Sequence, residues 1–110
     1  MQIKAAVATK PNADLEIQIV ELDEPKENEV LVKIASTGFC HTDIVGRSGA
    51  TTPLPVVLGH EGAGVVQKVG ANVTDVKPGD HVVLSFSYCG HCYNCTHNHQ
   101  GLCENFNQLN

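Results

Sequence analysis

Apolar residues recur along most of this chain at every second position, the spacing of strands with one covered face. Leu15-Glu16-Ile17-Gln18-Ile19 alternates without a break and predicts a half-buried strand. Ile3 to Ala8, Val30 to Ala35 and Val65 to Val69 predict three more, the last closed by Gly70. Val82-Val83-Leu84 follows Lys77-Pro78-Gly79-Asp80, where Pro before Gly predicts a type II turn. A helical period is absent except at Thr42 to Arg47, which predicts a short helix with Thr42 as its N-cap. Many short strands joined by Gly- and Pro-containing turns predict a mainly β protein, a small barrel or sandwich. From Tyr88 onward apolar residues thin out and cysteines replace them. A segment with so little core needs a metal to order it.

Size and charge narrow the picture further. A chain of 110 residues makes one small domain. Its net charge is −5 with no basic block, which disfavours nucleic acid and anionic membrane surfaces as partners. No apolar run is long enough to span a bilayer, and Met1-Gln2-Ile3-Lys4 opens no signal-peptide core. A cytoplasmic location is therefore expected. Thiols stay reduced there, so five cysteines read as metal ligands before they read as disulfides.

Cys89, Cys92, Cys95 and Cys103 form C-x2-C-x2-C-x7-C. Close thiol spacing of this kind suits zinc in a closed tetrahedral shell with no open position for chemistry. An iron-sulfur cluster is the competing reading, but its usual pattern ends with three residues and Cys-Pro. Here the last gap is seven residues and Glu104 follows. His91, His97 and His99 lie in the same lobe and read as solvated loop residues, since four cysteines are already available.

A second group is more dispersed. Cys40-His41-Thr42-Asp43 follows the third predicted strand, and Gly59-His60-Glu61 precedes the fourth. Alone, Cys40 reads as a small buried hydrophobe and His60 as a hydrogen-bonded structural residue. Together, and with Asp43 able to orient a free imidazole nitrogen, they suggest a metal site. Catalytic zinc needs three protein ligands and an open position. Cys40 and His60 are two good candidates and Glu61 a weaker third.

At these residues the chain resembles the zinc-dependent medium-chain alcohol dehydrogenases. Gly59-His60-Glu61-Gly62-Ala63-Gly64, then Gly70 and Val73, match the family's zinc signature. Cys40 to Asp43 match its first-ligand segment, and Cys89 to Cys103 its structural-zinc lobe. The stretches Val82 to Phe86 and Asn105 to Asn110 look most like the aryl- or benzyl-alcohol dehydrogenases. The resemblance implies a partial GroES-like β-barrel over residues 1–110, with a structural zinc lobe at 88–104, and a Rossmann domain that this chain does not include. It implies a fragment of a larger enzyme, inactive by itself, whose third catalytic ligand is a cysteine lying elsewhere.

The implied activity is oxidation of a primary, perhaps aromatic, alcohol to an aldehyde, with hydride transfer to NAD or NADP. Zinc on Cys40 and His60 would lower the pKa of the alcohol. Thr42 would relay its proton, His41 would sit near the cofactor pyrophosphate, and Asp43 would orient His60. Glu61 would approach the zinc when the open position empties. Many members carry a histidine two residues after the aspartate, where this chain has Val45, so the proton must leave by a cofactor ribose, water or another base. The parent protein is expected to be a homo-oligomer. A non-catalytic zinc-binding barrel is the alternative, and the Cys40–Asp43 and Gly59–Glu61 segments argue against it.

Overall fold

A computed structural model describes all residues, 1–110. Two three-stranded antiparallel sheets form its body, so the mainly β expectation holds. In the first, strand β1 (Gln2–Ala8) lies between β2 (Glu16–Glu21) and the two-residue β4 (Val56–Val57). In the second, β5 (Gly62–Val69) lies between β3 (Val30–Thr37) and β6 (His81–Val83). Helix α1 (His41–Arg47) follows β3, and the C-terminal lobe carries α2 (Tyr93–Thr96), a 3-10 turn (Gln100–Leu102) and α3 (Phe106–Leu109). The turn at 77–80 forms as expected: Asp80 N–H donates to Lys77 O at 3.1 Å, and Gly79 has φ +94°.

Four elements escape the sequence pattern. β4 is too short to alternate and sits in a proline-rich stretch. α2, α3 and the 3-10 turn are each a single turn, too short to show a period of 3.6. β5 also begins earlier than expected, at Gly62, because Gly62 and Ala63 extend the ladder with Thr37 and Ser36.

The pairing of β3 with β5 is broken by two irregularities, between Leu31 and Val32 and between Ile34 and Ser36. Such bulges bend a strand and increase its twist. The second lies just before the Gly38–Cys40 exit and so redirects the chain toward α1.

The body's core is thin: Ala5, Val7, Ala8 and Val66 are its buried apolar residues. One expectation fails here. Ile17 and Ile19 are 72% and 60% exposed. They pair with Ala6 and Lys4, so they share the outer face of the sheet, while Ala5 and Val7 point to the inner one. The alternation of β2 is real, but its apolar side has nothing packed over it. A second, separate core forms from Cys92, Cys95 and Cys103, with Cys89 and Phe106 against it.

Candidate metal centres and active site

The lobe is built around its first turn. Gly90, at φ +76°, reverses the chain between Cys89 and Cys92, a conformation that side-chain-bearing residues rarely adopt. The reversal aims backbone N–H groups at sulfur: Cys92 N–H donates to Cys89 Sγ at 3.3 Å. α2 then carries Cys95 inward and stops at Asn98, which takes the left-handed conformation at φ 63°. The Asn94 side chain donates to Leu102 O at 2.7 Å, holding the following turn so that Cys103 returns to the group. Cys89 N–H donates to Cys103 Sγ at 3.4 Å.

All four sulfurs lie within 4.8 Å of one another, and none is in a disulfide. Cys89 Sγ and Cys95 Sγ are 3.9 Å apart. A tetrahedral zinc with ordinary Zn–S bonds would place them about 3.8 Å apart, so the donor set fits that ion. The thiols differ electrostatically. The His91 N–H leads the interactions that pull the Cys89 pKa down to about 5, whereas burial pushes Cys95 up to about 12. Without a metal, the four cannot all be ionised near neutrality. His91, His97 and His99 are exposed and outside the sulfur cluster, and His97 stacks on Tyr93 with ring centroids 4.0 Å apart.

The second cluster assembles Cys40, Asp43 and His60, whose ligand atoms also lie within 4.8 Å of one another. Cys40 comes from the end of the bent β3, Asp43 from the first turn of α1, and His60 from the segment entering β5. Cys40, not Thr42, is the N-cap of α1: its sulfur accepts from Thr42 N–H at 3.3 Å, and Asp43 Oδ2 accepts from Cys40 N–H at 2.8 Å. Thr42 is the second helical residue and is exposed. Sulfur is a weak acceptor and is not among the usual capping groups, which is why the sequence favours the threonine.

His60 meets the cluster edge-on. Its Nε2 is 3.2 Å from Cys40 Sγ, and its Nδ1 is 3.6 Å from Asp43 Oδ1. A zinc bonded to both would set that sulfur and nitrogen about 3.6 Å apart. Asp43 is 3% exposed, so its carboxylate is committed to the cap and the imidazole. Glu61 Oε1 lies 3.9 Å from His60 Nε2, within reach of the same point. Its other oxygen occupies the space a side chain on Gly38 would need. Gly38 is therefore a site residue that spacing alone does not disclose.

A cavity of about 420 Å³ opens beside this cluster, lined by Thr42, Asp43, His60, Val57, Phe86 and Phe106 among others. His41 starts α1 and is exposed; Val45 is half-exposed on the cavity wall. Phe86 stacks on the His60 ring, with centroids 4.7 Å apart and planes 22° apart. No local motif predicts that pairing, because the two residues meet only through the β5–β6 ladder.

Residues 26–109 match the alcohol dehydrogenase GroES-like domain. The chain is 50% identical over 107 residues to a geraniol dehydrogenase of Castellaniella defragrans, covering 97% of this chain and 29% of that protein. It is 53% identical over 106 residues to an S-(hydroxymethyl)glutathione dehydrogenase of Photobacterium damsela, covering 94% and 29%. Its fold overlays the crystal structure of benzyl alcohol dehydrogenase from Acinetobacter calcoaceticus with a TM-score of 0.88 at 44% identity, covering 96% of this chain and 30% of that one. The chain thus spans about 30% of the length of the relatives it matches. The matched family, the two cysteine-containing clusters and the paired antiparallel sheets agree: this chain belongs to the alcohol dehydrogenase GroES-like domain family.

Proposed function

We propose that residues 1–110 form the amino-terminal part of the catalytic domain of a zinc-dependent alcohol dehydrogenase, with residues 88–104 as its structural zinc lobe. The convergence of Cys40 Sγ, His60 Nε2 and the buried Asp43 at the mouth of a cavity carries this reading. Cys40 and His60 would hold a metal at that point, with a cysteine outside residues 1–110 as the third ligand. Such a set would leave a position free for substrate, as catalysis by zinc requires. When bound there, zinc supplies a Lewis acid that lowers the pKa of an alcohol hydroxyl.

The chain's own groups do the rest. Asp43 holds the imidazole in one tautomer by facing Nδ1, leaving Nε2 free to act as donor to the metal. Thr42 Oγ1, on the cavity wall, takes the alcohol proton and passes it outward. Val45 cannot accept it, so a cofactor ribose, water or another base receives it. His41, at the exposed start of α1, would hold the cofactor pyrophosphate. Glu61 Oε1, 3.9 Å from His60 Nε2, would offer a carboxylate to the metal when substrate leaves. The apolar stretch of wall formed by Val57, Phe86 and Phe106 favours an uncharged, carbon-rich alcohol. The names of the geraniol and benzyl alcohol relatives suit a primary alcohol, aromatic or allylic, as substrate.

The hydride acceptor is NAD or NADP, held by a Rossmann domain outside this chain, and the parent enzyme is a cytoplasmic homo-oligomer. No helix here is long and apolar enough to cross a membrane. The test is to express the chain together with the remainder of a full-length dehydrogenase and follow nicotinamide reduction with benzyl alcohol, geraniol and ethanol. Alcohol-dependent reduction supports the reading. Zinc bound at the lobe with no reduction by any alcohol would instead make the domain a non-catalytic zinc module.

A further inference from the structure

The two cysteine-containing clusters are joined by an unbroken run of aromatic contacts. Phe106 packs against the sulfur core of Cys92, Cys95 and Cys103. Its ring meets that of Phe86 at 5.1 Å with planes 58° apart, and Phe86 in turn stacks on His60. Asn110 fastens this run. Its Oδ1 accepts from Ser87 N–H at 2.7 Å, and its Nδ2 donates to Ser87 O at 3.1 Å and to Phe106 O at 3.0 Å. One amide therefore ties the backbone beside Phe86 to the turn that carries Phe106. The tilted and stacked ring geometries are the arrangements that aromatic quadrupoles favour.

His60 needs such support. Asp43 Oδ1 faces its Nδ1 at 3.6 Å and Cys40 Sγ its Nε2 at 3.2 Å, and a ring met only at its two nitrogens can still rock about the line between them. A stacked neighbour removes that freedom. The geometry points to Phe86 as a positioning residue that sets the plane of His60, with Phe106 and Asn110 transmitting to it the ordered state of the four-cysteine lobe. The lobe's metal then governs the aim of a ligand in the other centre, beyond stapling its own loop. This rests on the reading of His60 as a ligand in the proposed dehydrogenase.

Proton NMR of the zinc-loaded chain, isotope-labelled at histidine, tests it. A stacked phenyl ring shields the protons of the imidazole beneath it, so His60 should resonate upfield of its unstacked position. Phe86→Leu should move the His60 ring signals downfield more than those of the other histidines, and Phe86→Tyr should leave them in place. Asn110→Asp, which is isosteric and does not touch His60, should move them in the same direction by less, with the lobe zinc retained. In the full-length enzyme, Phe86→Leu should lower kcat by about tenfold, the range of groups that orient metal ligands, with recovery in Phe86→Tyr. An unmoved His60 signal in Phe86→Leu overturns the stacking role. A signal that moves in Phe86→Leu but not in Asn110→Asp overturns the link to the lobe. A moved signal with unchanged kcat overturns the functional claim. Absence of alcohol oxidation in the unsubstituted enzyme refutes the dehydrogenase reading and with it the kinetic arm, while the NMR shifts still decide the coupling.

Discussion

The two sulfur-containing clusters of this molecule solve opposite problems with similar donors. In the lobe, four thiols come from a span of fifteen residues, close on one another, and present three buried sulfur-bearing residues to the interior. In the body, Cys40, Asp43 and His60 come from three separate elements and meet beside a cavity. The lobe is complete and closed, so a metal there can only hold structure. The second cluster brings one thiol and one imidazole to an open cavity, so under the proposed function a metal held there would keep a position free for a substrate. The difference lies in where the scaffold comes from. The local loop builds its own sulfur core, whereas the second cluster borrows rigidity from a strand exit, a helix start and a strand entry.

Four substitutions or conditions test that contrast, in order of expected effect. His60→Ala should abolish alcohol oxidation in the full-length enzyme, by about a thousandfold or more, because a Lewis acid supplies several kcal/mol of transition-state stabilisation. Metal analysis should show the lobe zinc intact in the same variant; its loss would mean the clusters are not independent in folding. Cys92→Ser should remove about one zinc per chain and loosen residues 88–104. Because Phe106 and Phe86 carry the lobe's order to His60, it should also lower activity, by less than His60→Ala does. Hydrogen exchange should show the lobe open while the β1–β2 and β3–β5 ladders stay protected. Asp43→Asn should reduce kcat/KM by about 10- to 100-fold, since the amide can still accept from Cys40 N–H but no longer carries a charge facing His60. A near-normal rate would remove Asp43 from the list of groups that orient the imidazole.

The smallest effect concerns the metal-free lobe. Cys89 has its pKa lowered in the folded state, so between about pH 5 and its ordinary value of 9.0 the unfolded chain binds more protons. Stability should therefore rise with pH across that window and fall away as pH drops through 5. Cys95 has its pKa raised to about 12, so its contribution is complete below 9.0 and is lost as pH climbs toward 12. Denaturant titration of the chelator-treated chain should find a maximum near pH 9; monotonic behaviour across the range would contradict the two opposed shifts. In the zinc-loaded chain the alkaline loss should vanish.

Much of this is legible in the amino-acid sequence. The thiol spacing from Cys89 to Cys103 is local, and local spacing survives folding, so the lobe was visible at once. The antiparallel strands were visible from period two, except Val56–Val57, which is two residues long. Cys40 and His60 suggest a metal site in each other's company, but their standing as zinc ligands comes from the family resemblance, because a separation of 20 residues says nothing about distance. What stayed hidden depends on long-range placement. Ile17 and Ile19 alternate like core residues, yet no sequence pattern says whether a second layer covers them. The stacking of Phe86 on His60, and the room that Gly38 leaves for Glu61, arise from strands brought together across many residues.

The double duty of Cys40 has a further consequence. Its sulfur ends a helix and also faces the imidazole, so one atom links backbone order to ligand chemistry. Exchanging that sulfur for oxygen would separate the two. A serine hydroxyl is among the better groups for receiving the N–H at a helix start, whereas it is a poor partner for a soft cation. The helix would stay wound while the centre lost its grip. A reagent that alkylates this thiol would remove the acceptor at the start of α1 and the partner of His60 Nε2 in one event.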